Sequence, residues 1–231
     1  MKTFFSAQSG LISPDKAKEW HIILIGCGGL GSYIGPAVSK LGIGRLDLID
    51  FDRVEIDNIA GQNFLEKDIG RAKVEIVANN SIGRVYTHQL RVKESGQLSY
   101  LKHSTNLKKI IIPAVDNMAT RILAYNAFNY DLVDHNTRYI IDPRMGGEIG
   151  KVECCDLLDM DSRKRYVSTL FPDSEGMALP CAERLTGYNA MLISSIVTYM
   201  VKEAISVDPT LNNTLHWYNN MPNNAFSLTK Y

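Results

Sequence analysis

The chain has 231 residues, 45% hydrophobic and 22% charged, with 25 Lys and Arg set against 25 Asp and Glu. That composition belongs to a folded globular protein, and at about 150 residues per domain the length allows one large domain or one domain carrying an insertion. A formal charge of zero removes the broad attraction on which nucleic-acid and anionic-membrane binding depend, so any anion site has to be local. The longest apolar stretches, such as residues 110–115, fall far short of the roughly 18 that a membrane span needs. Residues 1–5 run into polar Ser6 and Gln8 without a signal-like core, so a cytoplasmic protein with neither membrane nor nucleic-acid partner is expected.

The first clear element is the apolar run from His21 to Ile25. It ends in glycines, and Leu30, Ile34, Val38 and Leu41 then recur at helical spacing, which reads as strand, tight turn and helix, stopped by Gly42 and Gly44. Residues 45–50 read as a second strand, parallel to the first because a helical crossover separates them. After an irregular stretch over 51–68, residues 71–81 are helical in pattern, 85–90 alternate like a strand, and 110–115 look like a strand buried on both faces. Asp116 and Asn117 offer capping oxygens to a helix reaching about Asn129. Residues 139–142 and 149–155 read as further strands, whereas 156–180 is polar, poor in periodicity and reads as a long exposed crossover loop. Leu192, Ile196, Tyr199 and Met200, with residues 203–205, mark a last long helix, and 214–218 an edge strand.

The expected fold is therefore Rossmann-like α/β: a mostly parallel central sheet, helices on both faces, and additional antiparallel strands toward the C-terminus. One domain over 1–231 is expected, with 156–180 as the crossover and 206–231 as a C-terminal extension.

The glycine run Gly26, Gly28, Gly29 and Gly31 fits G-x-G-x-x-G and stands between a buried strand and a helix whose leading N–H groups can receive a phosphate. Asp50 and Asp52, ending the next strand, would place a carboxylate beside a ribose. The alternatives are glycines that serve only packing and a solvated loop carboxylate. On these residues alone a nicotinamide-dependent oxidoreductase fits as well as an ATP enzyme.

Further motifs follow in order: Asp50-Phe51-Asp52-Arg53-Val54-Glu55, Asn58 with Gln62, Ile69-Gly70-Arg71-Ala72-Lys73, Val115-Asp116-Asn117 with Arg121, Arg144-Met145-Gly146-Gly147 and Cys181-Ala182-Glu183. Together with the glycine loop they closely resemble the ThiF/MoeB branch of the ubiquitin-activating enzyme superfamily, over about residues 20–205. The resemblance implies an ATP- and Mg²⁺-dependent adenylyltransferase. Such an enzyme joins AMP to the C-terminal carboxylate of a small ubiquitin-like or sulphur-carrier protein, or a peptide, and releases pyrophosphate. It further implies a homodimer and, in some members, a cysteine that then takes the acyl group.

Carried over, Gly26, Gly28, Gly29 and Gly31 would lie under the nucleotide, Asp52 (with Asp50 beside it) on the ribose, and Asn58 and Lys73 on the phosphates. Gln62, Arg71 and Asn117 would line the same site, Asp116 would hold Mg²⁺, and Cys181 would accept the acyl group. Lys73 and the metal would neutralise the phosphoryl oxygens as the carboxylate attacks, so Lys73, Asp116 and Cys181 are the catalytic candidates. The plain alternatives are a solvated helix lysine at 73, a simple helix cap at 116 and an inert thiol at 181. Arg121 reads as a structural ion-pair partner, Cys27 as packing, and none of the five histidines is assigned to chemistry.

Two departures stand out. Gly61 occupies the place of an arginine in the family's Asn-x-x-Arg-Gln motif, and residues 1–20 hold only Lys2, Lys16 and Lys18 where the family carries an arginine reaching the partner subunit's nucleotide. Arg53, Arg71 or Arg144 would have to compensate, or the chain would be a non-catalytic scaffold or partner subunit. The four cysteines contain no CxxC pair, so no zinc is expected.

Overall fold

The computed structural model describes residues 4–129, 136–147, 149–175 and 186–206, and the backbone of 216–219. A short helix α1 (Pro14–Lys18), with Pro14 in its first turn and Ser13 as its cap, precedes strand β1 (Trp20–Ile25). Helix α2 (Gly31–Ser39), β2 (Arg45–Ile49), α3 (Lys73–Asn79), β3 (Val85–His88), α4 (Gly96–Lys102) and β4 (Lys108–Pro113) follow. Next come α5 (Met118–Asn129), β5 (Thr137–Gly146), β6 (Ile149–Asp156), α6 (Met160–Ser168), α7 (Gly187–Ser206) and β7 (His216–Asn219).

The strands form one seven-stranded sheet in the order β3-β2-β1-β4-β5-β6-β7. The pairs from β3 across to β5 are parallel, and β6 and β7 add on antiparallel. This is the expected Rossmann-like arrangement, including its antiparallel end.

Alternation along each strand sends neighbouring side chains to opposite faces, and both faces are covered. Ile22, Leu24, Leu48 and Ile112 pack on one side with Ile34 and Val38 of α2, Val74 and Val77 of α3, and Ile193 and Val197 of α7. Ile23, Ile25, Ile49, Ile111 and Ile140 pack on the other with Leu98 of α4, Ala124 and Phe128 of α5, and Tyr166 of α6. No helix among the described residues is long and apolar enough to cross a membrane.

Residues 156–175 depart from the expected loop, and 176–180 lie outside the described residues. Asp156 closes β6, Asp159 caps α6 by accepting from the Asp161 amide, and a short 3-10 turn covers Asp173–Glu175. Within α6 only Ser162 and Tyr166 are buried, one turn apart, so its sequence carries too narrow an apolar stripe to show a period. The same holds for α4, which offers just Leu98 and Leu101 to the core.

Candidate functional site

The crossovers through α2 and α3 lie on one face and those through α4 and α5 on the other, so the winding reverses between β1 and β4. In such sheets the crevice beyond the carboxyl ends of the strands at this reversal is where ligands bind. The carboxyl end of β1 delivers the glycine loop there, β2 delivers Asp50 and Asp52, and β4 delivers Asp116.

The glycines divide into two kinds. Gly26 has φ +93°, and a Cβ there would run into the Ala114 carbonyl; a Cβ on Gly31 would strike the Gly26 carbonyl. Both are demanded by the turn itself. Gly28 is not: a Cβ there would meet only Gln62 Oε1, at 3.8 Å. Packing therefore explains the outer glycines and leaves the middle one to a ligand's approach.

Asp50 is almost fully buried, and both of its oxygens are in use: Oδ2 accepts from the Cys27 amide at 2.6 Å and Oδ1 from the Asp52 amide at 2.7 Å. Burial raises its pKa, while the two amides and Lys73 pull it back. It fixes the shape of the glycine loop and points inward. The exposed position at this strand end belongs to Asp52. Burial beside Asp50 pushes the Cys27 thiol well up, in line with a packing role.

Lys73 is the first residue of α3, and its side chain is only 9% exposed. Its ion-pair partner is Asp52, with Nζ 3.8 Å from Oδ2, beyond hydrogen-bonding distance. A buried ammonium at the positive end of a helix, with a half-exposed carboxylate for company, is an arrangement that an anion would complete. The solvated-lysine alternative does not describe it.

The segment between Asp52 and Lys73 is sewn to α2: the Asn63 amide donates to Ser32 Oγ at 3.0 Å and Asn63 Nδ2 to the Ser32 carbonyl at 3.2 Å. Asn58 is engaged locally, accepting from the Glu55 amide and donating to Asp57. Gln62 Oε1 is buried and makes no hydrogen bond, close to where Gly28 leaves space. Helix α7 backs this region: a Cβ on Gly187 would sit 3.1 Å from the Ala60 carbonyl, and Ser194 Oγ donates to the Leu30 carbonyl.

At the end of β4 the capping reading of Asp116 fails. The first turn of α5 is capped by Asn117, whose Oδ1 accepts from the Thr120 amide at 2.8 Å. Asp173, far along the chain, accepts from the Met118 and Ala119 amides at 2.5 and 3.3 Å. Among the described residues Asp116 receives a hydrogen bond only from the Asn117 side-chain amide, at 3.1 Å. Asn117 thus both caps the helix and steadies Asp116, whose carboxylate keeps the capacity to meet a cation.

Beneath this lies a buried cluster that sequence reasoning saw in part. Asp142, with no exposed surface, is paired with Arg121 Nε at 3.0 Å and with Arg144 Nη2 at 2.7 Å, and it accepts from the Tyr166 hydroxyl at 3.1 Å. Arg121 also donates to the carbonyls of Val115 and Pro143, so it is the structural partner expected. Arg144 also donates to the carbonyl and hydroxyl of Thr169, so four of its five N–H groups hold it beside Asp142. Arg53 donates to the Gly70 carbonyl, which leaves Arg71, half-exposed and 3.5 Å from Asp68, as the more available cation.

Cys181 lies outside the described residues. Cys154, half-buried, and Cys155, buried, lie on opposite faces of β6, and burial pushes the Cys155 thiol up to about 12. Asp173 and the Ser32–Asn63 stitch escaped sequence reading, because nothing local marks a cap or a partner so distant in sequence.

The fold and this crevice define an α/β protein of the doubly wound class. Comparison with known proteins takes the assignment further: the model of the ThiF family matches residues 7–229, and the chain belongs to that family. A probable adenylyltransferase/sulfurtransferase MoeZ of Mycobacterium tuberculosis is 28% identical over 221 residues, 89% of this chain and 52% of that protein. The chain thus spans about half the length of that relative. A sulfur carrier protein adenylyltransferase of Thermus thermophilus is 25% identical over 218 residues, covering 87% of this chain and 73% of the relative. Among solved structures, PaaA aligns with a TM-score of 0.66 over 94% of this chain and 65% of that one, at 18% identity. MccB of E. coli with ATP aligns with a TM-score of 0.60 over 93% and 68%, at 19% identity. At such identities these structures speak for the fold.

Proposed function

We propose that the chain is an ATP-dependent adenylyltransferase that joins AMP to the C-terminal carboxylate of a small ubiquitin-like or sulphur-carrier protein, or of a peptide, with release of pyrophosphate. The observation that carries this reading is the buried Lys73 ammonium paired with Asp52, together with an Asp116 carboxylate relieved of capping at the strand end where the sheet's winding reverses. Relatives named as adenylyltransferases support it.

The residues present fit the group. The space at Gly28 and the unpartnered Gln62 Oε1 receive the nucleotide, Asp52 meets the ribose, and Arg71 and Asn58 reach the phosphate side once Asn58 exchanges its local bonds. Lys73 neutralises phosphoryl oxygen charge as the carboxylate attacks, in a partly dry pocket where that charge counts for more. Asp116 holds Mg²⁺, which when bound supplies further neutralisation of the phosphates. Asp50 keeps the loop in its turn, and Asn117 keeps Asp116 aimed. Where a thioester follows, Cys181 receives the acyl group. We place the enzyme in the cytoplasm as a homodimer without zinc, acting alone on neither nucleic acid nor membrane.

ATP–pyrophosphate exchange with Mg²⁺, measured with small proteins and peptides ending in a glycine carboxylate, tests the reading. Exchange in the wild type that Lys73→Ala and Asp116→Ala each abolish supports it; a nicotinamide requirement would sink it. One observation favours a second reading, a non-catalytic scaffold: the Arg144 guanidinium is anchored on Asp142 and Thr169, and Gly61 supplies none. ATP binding with no exchange for any acceptor would select that reading.

A further inference from the structure

We propose that Tyr100 is a base-activated nucleophile that accepts acyl groups from activated esters, with His88 as its base and Asp47 as the positioning carboxylate behind that base. None of the three is a crevice residue, and the site does not depend on adenylation. Asp47 lies on β2, His88 closes β3, the outermost strand of the sheet, and Tyr100 stands on α4, which packs over that face. The Tyr100 hydroxyl is 2.8 Å from His88 Nδ1, and His88 Nε2 is 2.6 Å from Asp47 Oδ1. A hydroxyl, an imidazole and a carboxylate chained in this order are the arrangement that makes a weakly acidic side chain nucleophilic.

The surrounding charges fix where the protons sit. Burial opposes the charge of Asp47, but the hydrogen bonds from His21, His88 and Arg45 keep it ionised. An ionised carboxylate only accepts, so His88 Nε2 donates to it, and the neutral ring turns the lone pair of Nδ1 to the phenol. The Tyr100 hydroxyl therefore donates to Nδ1. Burial, and then the Asp47 charge, raise the Tyr100 pKa, which keeps the phenol protonated until a bond forms and makes the base decisive for its reactivity. Exposure grows outward along the chain of contacts, from none at Asp47 to 22% at the His88 side chain and 48% at Tyr100, so the network is closed inward and meets solvent at the phenol. In the step, the Tyr100 oxygen bonds to the carbonyl carbon of the ester and its proton passes to His88 Nδ1. The bond from that carbon to the leaving oxygen breaks, and the imidazolium, held against buried Asp47, returns the proton to the leaving group or to water.

The test treats the full chain with p-nitrophenyl acetate, follows p-nitrophenolate release and maps the acetyl groups on tyrosines by mass spectrometry. Tyr86 is the internal reference: it is exposed to nearly the same degree, 46%, and has the Arg45 guanidinium over its ring instead of an imidazole at its hydroxyl. Tyr100 should be acetylated about a hundredfold faster than Tyr86, the usual size of a general-base contribution. Tyr100→Phe should remove the fast phase of p-nitrophenolate release. His88→Gln keeps a donor for Asp47 and an acceptor for the phenol but supplies no base, and should bring Tyr100 down to the rate of Tyr86. Equal acetylation of Tyr100 and Tyr86 in the wild type would overturn the proposal, as would undiminished labelling of Tyr100 in a folded His88→Gln variant. Should that variant unfold, the ratio of the two tyrosines within the wild type still decides.

Discussion

The buried carboxylate of Asp47 and the crevice at the strand ends show opposite designs. Asp47, on β2 with no exposed surface, is met from every side: His21 Nε2 at 2.5 Å, His88 Nε2 at 2.6 Å, and Arg45 through two donors. Tyr100 and Thr105 in turn engage the far nitrogens of the two histidines. Burial works against its charge, yet the hydrogen bonds from His21, His88 and Arg45 prevail and hold the carboxyl far below the usual range. Three residues on, the chain enters the crevice, where Lys73 has a partner at 3.8 Å, Asp116 one weak neighbour and Gln62 Oε1 none. A polar network closed on itself rigidifies a fold, whereas one left open at a strand end has capacity for something that arrives later. His21 and His88 belong to the closed kind.

The largest effect expected lies at the buried ion-paired cluster of Arg121, Asp142 and Arg144. Asp142→Ala leaves Arg121 and Arg144 buried without their counter-charge and should lower unfolding stability by about 3–5 kcal/mol, read from denaturant midpoints. A loss under about 1 kcal/mol would mean that solvent or repacking replaces the pair, and the contrast between closed and open networks would collapse.

The open network should behave in reverse. Lys73→Met removes a buried charge from the positive end of α3, so stability should hold or rise slightly, while pyrophosphate exchange falls by about a hundredfold or more. A variant that unfolds instead would show the ammonium to be structural.

The glycine loop sharpens the comparison within one turn. Gly31→Ala forces the backbone apart at the Gly26 carbonyl and should cost about 2 kcal/mol. Gly28→Ala meets no protein atom closer than 3.8 Å, so its thermal midpoint should stay put while ATP affinity drops. Equal stability losses at both positions would remove the argument that Gly28 faces a ligand.

The smallest effect concerns pH. Burial lowers the pKa of His21 below 6.5 despite the pull of Asp47. Below pH 6.5 the unfolded chain therefore binds a proton that the folded one resists, and stability falls with pH; above it this residue contributes no slope. Chemical denaturation between pH 7 and 5 should show that slope, and His21→Asn should flatten it.

Much of this protein was legible in order along the chain. Apolar runs bounded by glycines marked β1, β2 and β4, and the helical period from Leu30 to Leu41 marked α2, because burial on two faces or one stripe writes itself into local periodicity. The glycine pattern and the motifs around Asp52, Lys73 and Asp116 located the crevice, since a strand–turn–helix junction brings neighbours in sequence to one place. The sequence by itself therefore determined the doubly wound fold and the end of the sheet at which chemistry belongs. Only the tertiary structure decided what each charged residue is for. It spent Asp50 on holding a loop, closed Asp142 between two arginines, freed Asp116 by handing its capping duty to Asn117 and Asp173, and turned residues 160–168 into a helix. The reason is that a charge takes its meaning from the partners within a few ångströms of it, and here those partners come from strands and segments that only folding brings together.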